Sequence, residues 1–249
     1  MLNSHPLEAS GLNNFADIEA LTFDVFGTVV DWRNCIAREG RLLGETKGIA
    51  SNWEQFADDW RGGYEPAMNR VRNGELPWAS IDTLHRMILD ELLDKYGLYD
   101  LTEEEKSLLN KAWHRLEPWH DVLEGLEQLR SRFIVAALSN GNIALLTNMA
   151  KHSNIPWDCI LSAELSKHYK PDPEVYLTAA ELLGLTPDKV MMVAAHPHDL
   201  NGAKAIGMRT AFVHRPLEFG IGQVVDLPPK NQFDLSVCNF IELAKALVY

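Results

Sequence analysis

A short apolar run that ends in an acid and a turn constrains this chain most: Leu21-Thr22-Phe23-Asp24-Val25-Phe26-Gly27-Thr28. Residues 21–24 are typical of the end of a buried strand, and the glycine and threonine that follow turn the chain. An acid at this position is costly unless it has partners or a chemical role. In open α/β sheets, ligands bind in the crevice beyond the strand ends. Asp24 is therefore the first candidate catalytic residue, and a local turn-capping role is the alternative.

Charge and cysteine content restrict the partners and the compartment. Lys and Arg total 23 against 35 Asp and Glu, and the formal charge of −12 repels nucleic acid and anionic membranes. No apolar run approaches the roughly 20 residues of a membrane helix, and residues 1–14 are typical of a loose tail rather than a signal peptide. The isolated cysteines Cys35, Cys159 and Cys238 indicate reduced thiols in a cytoplasmic protein.

The pattern changes after the first strand. Apolar spacing of three and four predicts helices at about 34–44, 51–71, 79–96 and 102–116, without strands between them. We interpret residues 34–116 as a helical cap, inserted into a core that is made of residues 15–33 and 117–249. The alternative is that these helices simply cover the sheet.

The C-terminal half alternates strands with helices. Strands are predicted at 133–138, 157–161, 190–194 and 209–213. This alternation predicts an α/β fold with a doubly wound parallel sheet. Residues 216–237, rich in Pro and Gly, predict an irregular crossing before a final helix near 240–247.

Polar residues recur where the predicted strands end. Each has an ordinary explanation, as a turn, a helix cap or a solvated loop residue. Their recurrence at one edge of one sheet instead predicts a functional site. The clusters are Asp24 with Thr28, Ser139 with Asn140, Lys170, and His196 with Asp199.

The chain resembles the haloacid dehalogenase superfamily over nearly its whole length. The resemblance is carried by the strand end at 193–199 and by three motifs, Phe23-Asp24-Val25-Phe26-Gly27-Thr28, Leu138-Ser139-Asn140-Gly141 and Lys170-Pro171-Asp172-Pro173. It implies a Rossmann-like core, a helical cap and a nucleophilic aspartate, Asp24.

Two positions favour the metal-independent branch of this superfamily, the type II 2-haloacid dehalogenases. The phosphatases carry a general acid two positions after the nucleophile, where this chain has Phe26, which cannot transfer a proton. They carry a Mg²⁺-binding Asp where this chain has His196, although Mg²⁺ prefers oxygen ligands. The resemblance therefore implies no metal and no cofactor. A Mg²⁺-dependent phosphatase of small phosphate esters and a catalytically silent binding protein are the alternatives.

The resemblance implies a role for each site residue. Asp24 attacks C2 of a short 2-haloalkanoate, Lys170 keeps it ionised, and Thr28 orients its carboxylate. The other expected contacts are Ser139 and the backbone amides of Val25 and Phe26 for the substrate carboxylate, Arg61 and Asn140 for the departing halide, and Phe26 and Trp60 for an apolar wall. Arg61 as a surface residue is the alternative to its role.

Water then hydrolyses the aspartyl ester. Asp199 matches the residue that positions or activates this water, and Tyr176 matches a tyrosine of the type II branch. That branch has Ser and Asn where this chain has Ala194 and His196. With an unperturbed pKa of about 6.5, His196 is expected to replace the amide contact and to share the base role with Asp199. Purely structural roles for Tyr176 and His196 are the alternatives.

The expected partner is a small halogenated carboxylate, a short 2-haloalkanoate such as chloroacetate or bromoacetate. Fluoroacetate is included because an added imidazole could stabilise the leaving fluoride. The resemblance is compatible with a homodimer, because the family commonly forms one, but the oligomeric state stays open. The charge predicts neither nucleic acid nor membrane as a partner.

Overall fold

The computed structural model describes residues 15–223 and 227–249. The loose tail predicted for residues 1–14 lies outside the described residues, as does the middle of the irregular crossing predicted for 216–237. Within the two described ranges, no helix combines the length and the hydropathy that a membrane crossing requires.

Within the described residues, six parallel strands form one sheet in the order β3-β2-β1-β4-β5-β6. They are β1 (Ala20–Phe23), β2 (Ile134–Ser139), β3 (Cys159–Ser162), β4 (Val190–Ala194), β5 (Arg209–Val213) and β6 (Leu235–Val237). Phe23 pairs with Ala137 of β2 and with Val193 of β4, so three neighbouring strands end at the same edge. The connections diverge between β1 and β4, which is the position of the ligand crevice in such sheets.

Both faces of the sheet are covered. In β4, Met191 and Val193 belong to one buried apolar cluster, whereas Val190, Met192 and Ala194 belong to the cluster on the opposite face. This two-sided burial explains the continuous apolar runs of the central strands. Helices outside the 34–116 block pack on the sheet: α6 (Val122–Arg130), α7 (Ile143–Ser153), α8 (Ala163–Ser166), α9 (Pro173–Leu182), α10 (Pro197–Ala205) and α11 (Phe240–Val248). The doubly wound α/β fold class is confirmed.

The block between β1 and β2 is helical. It contains α1 (Trp32–Lys47), α2 (Trp53–Gly62), α3 (Tyr64–Arg72), α4 (Ile81–Leu92), α5 (Glu103–Asn110) and a 3₁₀ turn (Lys111–Arg115). The single helix predicted at 51–71 is wrong, because Gly63 separates two helices there. A Cβ on Gly63 would lie 2.6 Å from Ile88 Cγ2, so the glycine lets α4 pack against the break. The division into cap and core stays a prediction.

The sequence gives no strand signal for β6. This strand is three residues long and lies at the sheet edge, where it pairs with β5. The Asp234 carboxylate supports it by accepting hydrogen bonds from both the amide and the hydroxyl of Thr210. The prediction that residues 216–237 are wholly irregular is therefore wrong at its end.

Candidate active site

Asp24 follows β1 and receives hydrogen bonds from three side chains. Its Oδ1 accepts from Lys170 Nζ at 2.9 Å. Its Oδ2 accepts from Thr28 Oγ1 at 2.7 Å and from His196 Nδ1 at 2.9 Å. Asp24 is 7% exposed, and it lines a cavity of about 530 Å³ beyond the strand ends.

The charges around Asp24 hold it ionised. Burial raises the pKa of this carboxyl, but Lys170 and His196 together lower the pKa far below its usual range. Burial likewise lowers the pKa of Lys170, but the carboxylates of Asp199 and Asp24 raise that pKa above its ordinary value. Asp24 and Lys170 are therefore charged together at neutral pH.

Lys170 is fixed from both its ends. Its Nζ also lies 2.5 Å from Asp199 Oδ2. Its backbone N–H donates to Asn140 Oδ1 at 2.6 Å, and its carbonyl accepts from Arg72 Nη2 of α3 at 2.9 Å. Asn140, predicted to bind the halide, thus uses its carboxamide oxygen to place Lys170, although it also lines the cavity.

Asp199 lies in the first turn of α10 and is held from behind. Tyr176 Oη donates to Asp199 Oδ1 at 2.6 Å and lies 3.1 Å from the Asp199 carbonyl oxygen. Burial and the neighbouring carboxylate raise the pKa of Tyr176, so the phenol stays protonated and acts as a donor. Tyr176 does not line the cavity but orients a residue that does.

His196 lies between two carboxylates. Nδ1 is 2.9 Å from Asp24 Oδ2, and Nε2 is 3.0 and 3.1 Å from the two oxygens of Glu218. Ionised carboxylates only accept hydrogen bonds, so this arrangement favours a proton on both ring nitrogens. Although burial lowers the pKa of His196, Glu218 and Asp24 raise it to about 10. This geometry favours a donor role for His196, and its predicted share in the base role stays a prediction.

Sequence reasoning missed Glu218. This residue is 2% exposed, and its Oε1 accepts from Trp32 Nε1 at 3.1 Å. A Cβ on Gly27 would lie 2.1 Å from Glu218 Oε1, so the glycine of the first motif makes room for this carboxylate. That glycine was the available signal: its φ of +84° suits the turn, but its missing side chain also admits a distant acid.

Arg215 anchors the start of the segment that carries Glu218. Its guanidinium forms two hydrogen bonds with the Asp121 carboxylate, at 2.8 and 3.0 Å. Its Nε donates to the Thr28 carbonyl at 2.8 Å. The segment after β5 is thereby tied to the turn after β1.

Hydrogen-bond donors without an acceptor lie next to Asp24 in the chain and in the cavity wall. Among the described residues, the amide N–H groups of Val25 and Phe26 have no acceptor. Ser139 lines the cavity, and its Oγ accepts from the Gly141 amide at 3.1 Å, which leaves its own proton free to donate. Unpaired backbone donors and a hydroxyl match the needs of a bound carboxylate.

Arg61 supplies positive charge on the α2 side of the cavity. Its guanidinium carbon lies 4.2 Å from the centroid of the Tyr64 ring and 5.8 Å from that of Trp32. No described residue forms a hydrogen bond or ion pair with the Arg61 guanidinium. An Arg stacked on aromatic faces but otherwise unpaired can receive an anion.

Eight of the residues proposed from sequence line one cavity, which brings the predicted clusters together: Asp24, Phe26, Arg61, Ser139, Asn140, Lys170, His196 and Asp199. A sequence model of haloacid dehalogenase-like hydrolases matches residues 18–207. The chain belongs to the haloacid dehalogenase-like hydrolases.

Relatives and solved structures agree with this family. (S)-2-haloacid dehalogenase 1 of Pseudomonas sp. (strain CBS-3) is 31% identical over 80% of this chain and 85% of its own. Haloacetate dehalogenase H-2 of Moraxella sp. (strain B) is 28% identical over 80% of this chain and 86% of its own. The crystal structure of a defluorinating L-2-haloacid dehalogenase is 41% identical, with a TM-score of 0.89 over 92% of this chain and 95% of that chain. Another L-2-haloacid dehalogenase structure is 45% identical, with a TM-score of 0.88 over 92% and 97%.

Trp60 of this haloacid dehalogenase-like hydrolase neither lines the cavity nor contacts Asp24 or Asp199. Trp60 is fully buried and is not part of the cavity wall. Its Nε1 donates to the His85 carbonyl at 2.9 Å, and its ring packs against Phe56 and Trp113. The apolar wall role expected for Trp60 is therefore corrected: it supports the wall from within the helical block, whereas Phe26 does line the cavity.

Proposed function

We propose that this haloacid dehalogenase-like hydrolase removes halide from C2 of short 2-haloalkanoic acids, yielding 2-hydroxy acids through an ester on Asp24. The observation that carries the proposal is the buried Asp24 carboxylate, which is held ionised by Lys170 and by the His196 imidazolium. A carboxylate nucleophile divides a difficult displacement by water into two easier steps. The curated relatives, named as 2-haloacid and haloacetate dehalogenases, support the same chemistry.

In the first step, an Asp24 oxygen forms a bond to C2 as the carbon–halogen bond breaks. The bonding electron pair leaves with the halide, towards the unpaired guanidinium of Arg61. The substrate carboxylate binds the Ser139 hydroxyl and the free amides of Val25 and Phe26. Donors aimed at the developing halide charge lower the barrier of this step.

In the second step, water attacks the carbonyl carbon of the ester. Asp199 accepts the water proton and returns it to the leaving hydroxyl oxygen. Tyr176 keeps the Asp199 carboxylate in place through its 2.6 Å hydrogen bond. The water oxygen then remains in the Asp24 carboxyl group, which releases the second water proton as it ionises again.

Fluoroacetate is included among the proposed substrates. Fluoride concentrates more charge than the larger halides, and Arg61 is available to stabilise that charge. A structural neighbour that is 41% identical is a defluorinating L-2-haloacid dehalogenase, which supports this extension.

The Mg²⁺-dependent phosphatase alternative is not supported. The relatives and structural neighbours above are dehalogenases, and Phe26 occupies the position of the phosphatase acid. We propose further that residues 34–116 act as a cap that carries Arg61 over a core of residues 15–33 and 117–249. A homodimer and a cytoplasmic location stay predictions.

A direct test follows the oxygen atom. Halide release is measured from chloroacetate, bromoacetate and fluoroacetate, and phosphate release from a phosphate ester, with Mg²⁺ and with EDTA. We expect halide release that EDTA leaves unchanged, and no phosphate release. After one turnover in ¹⁸O water, the peptide that contains Asp24 should gain one label. Dehalogenation without this label would contradict the ester mechanism, and Asp24→Asn is the inactive control.

A further inference from the structure

The two oxygens of the Asp24 carboxylate are not equivalent. Oδ2 accepts two hydrogen bonds, from the Thr28 hydroxyl at 2.7 Å and from His196 Nδ1 at 2.9 Å. Oδ1 accepts one, from Lys170 Nζ at 2.9 Å. Each carboxylate oxygen offers about two lone-pair sites, so Oδ2 is saturated and Oδ1 retains a free lone pair. The free lone pair identifies Oδ1 as the nucleophilic oxygen.

We propose that Thr28 and His196 form an oxyanion hole at Asp24 Oδ2 for hydrolysis of the ester, and that Glu218 is the positioning residue that maintains it. This inference rests on the proposed function, because it needs an ester on Asp24. Once Oδ1 has bonded to C2, Oδ2 is the carbonyl oxygen of that ester. Both of its donors already point at the atom on which negative charge develops.

The electron balance follows from this geometry. When water adds to the carbonyl carbon, the π electron pair moves to Oδ2. When the intermediate collapses, this pair re-forms the double bond and the bond between that carbon and Oδ1 breaks. Oδ1 leaves as the hydroxyl oxygen of the product and receives the proton held by Asp199. Stabilisation is needed at Oδ2 in this step and not in the first, when the charge of Asp24 decreases.

Both donors are preorganised. The Ala195 amide donates to Thr28 Oγ1 at 2.9 Å, which directs the threonine hydroxyl proton towards Asp24 Oδ2. Both Glu218 oxygens accept a hydrogen bond from His196 Nε2, which fixes the orientation of the ring. Glu218 is itself fixed by Trp32 Nε1 and by contact with Gly27. Donors held in place before charge develops stabilise it most.

Glu218 also keeps the charge of the hole during the ester stage. His196 is faced by Asp24, Glu218 and the His198 ring, whose centroid is 5.7 Å away, while Lys170 lies on the far oxygen of Asp24. Esterification neutralises Asp24 and leaves Glu218 as the carboxylate in contact with the imidazolium. Without Glu218, the ring would lose its proton more readily when the oxyanion needs it.

The test separates the two chemical steps. With enzyme in excess over chloroacetate, the chloride released reports ester formation, and the mass of the quenched peptide containing Asp24 reports ester hydrolysis. For Glu218→Gln and Thr28→Val, we expect hydrolysis to slow about 100- to 1000-fold, as when an oxyanion donor is removed. Ester formation should change less than about 10-fold, so that the ester accumulates. In Glu218→Gln, the slowing of ester hydrolysis should become larger as pH rises from 6 to 9.

Two further variants serve as controls. Thr28→Ser retains the hydroxyl and should restore hydrolysis, whereas Glu127→Gln, at an exposed carboxylate on α6, should match the unmodified protein. Equal slowing of both steps in Glu218→Gln and Thr28→Val would overturn the oxyanion hole, and so would unchanged hydrolysis in both. An unmodified protein that releases chloride without ever forming the ester would instead overturn the proposed function.

Discussion

Lys170 Nζ lies 2.9 Å from Asp24 Oδ1, although 146 positions separate the two residues in the chain. Both side chains are buried, so neither charge is compensated by water. If one partner of a buried ion pair is removed, the other charge stays buried without a partner, and the full cost of its desolvation remains.

Lys170→Met is therefore expected to lower the free energy of unfolding by about 3–5 kcal/mol. It should also abolish measurable halide release, because Asp24 loses a cation that keeps it ionised. Urea unfolding and halide release by the folded fraction measure the two effects. Lys189→Met, at a half-exposed pair with Glu19, is the control and should change stability little, because solvent screens the pair. Equal effects of the two substitutions would contradict the charge argument.

His196 predicts a loss of stability in alkali. Its pKa in the folded protein is about 10, above the unfolded value of about 6.5, so its contribution is fully present below pH 6.5. That contribution is lost as pH rises towards 10, at about 1.4 kcal/mol per pH unit. Urea unfolding at pH 7, 8 and 9 should show this slope in the unmodified protein, relative to His196→Gln. Parallel curves for the two proteins would mean that the ring is not protonated.

His85 predicts the opposite behaviour in acid. It is almost fully buried, it stacks on Trp113 with ring centroids 4.1 Å apart, and its Nδ1 has no partner among the described residues. Burial lowers the pKa of His85 to about 3, so the unfolded chain binds a proton first as pH falls below about 6.5. The contribution of neutral His85 to the free energy of unfolding is fully present above pH 6.5 and is lost as pH falls towards 3. His85→Phe should flatten the dependence between pH 6 and 4 by about 1.4 kcal/mol per unit, whereas His152→Gln, at an exposed histidine, should not.

Arg61 is expected to matter most for the poorest leaving group. Arg61→Met removes the unpaired guanidinium and should slow dechlorination about 100-fold. Defluorination should slow at least another 10-fold, because fluoride depends more on donors for stabilisation. Parallel halide assays with chloroacetate and fluoroacetate measure the ratio. Arg70→Met, at an exposed arginine of α3, is the control. An unchanged ratio in Arg61→Met would place the halide elsewhere.

The sequence predicts the parts of the site that follow apolar strands. Asp24 and Asn140 each directly follow a strand, so register alone brings them to one edge. Glu218 could not be found in this way, because it reaches His196 from an irregular segment across 22 positions. The contact of His196 with a second carboxylate could not be predicted for the same reason.

The directions of side chains around α2 explain why Trp60 does not form the predicted apolar wall. Adjacent positions on a helix point about 100° apart, so Trp60 and Arg61 face different directions. Trp60 packs into the interior of the helical block, and Arg61 lines the cavity. The amphipathic pattern predicts that a helix exists there, but not which of two neighbouring residues reaches the site.

Tyr176 offers a test of how Asp199 is positioned. Its Oη donates to Asp199 Oδ1 at 2.6 Å, and Tyr176→Phe removes that donor while filling nearly the same volume. The carboxylate should then rotate away from the attacking water, and misplacement of this kind slows ester hydrolysis about 10- to 100-fold. Stability should fall by about 1.5–3 kcal/mol, because the lost hydrogen bond is to a charged group.

Tyr169→Phe is the matched control, since the Tyr169 hydroxyl donates to the Ala79 carbonyl, away from Asp199. It should lower stability by about 1 kcal/mol and leave ester hydrolysis unchanged. Single-turnover ester decay and urea unfolding measure both variants, and equal ester decay in the two would mean that Tyr176 does not position the residue that handles the water.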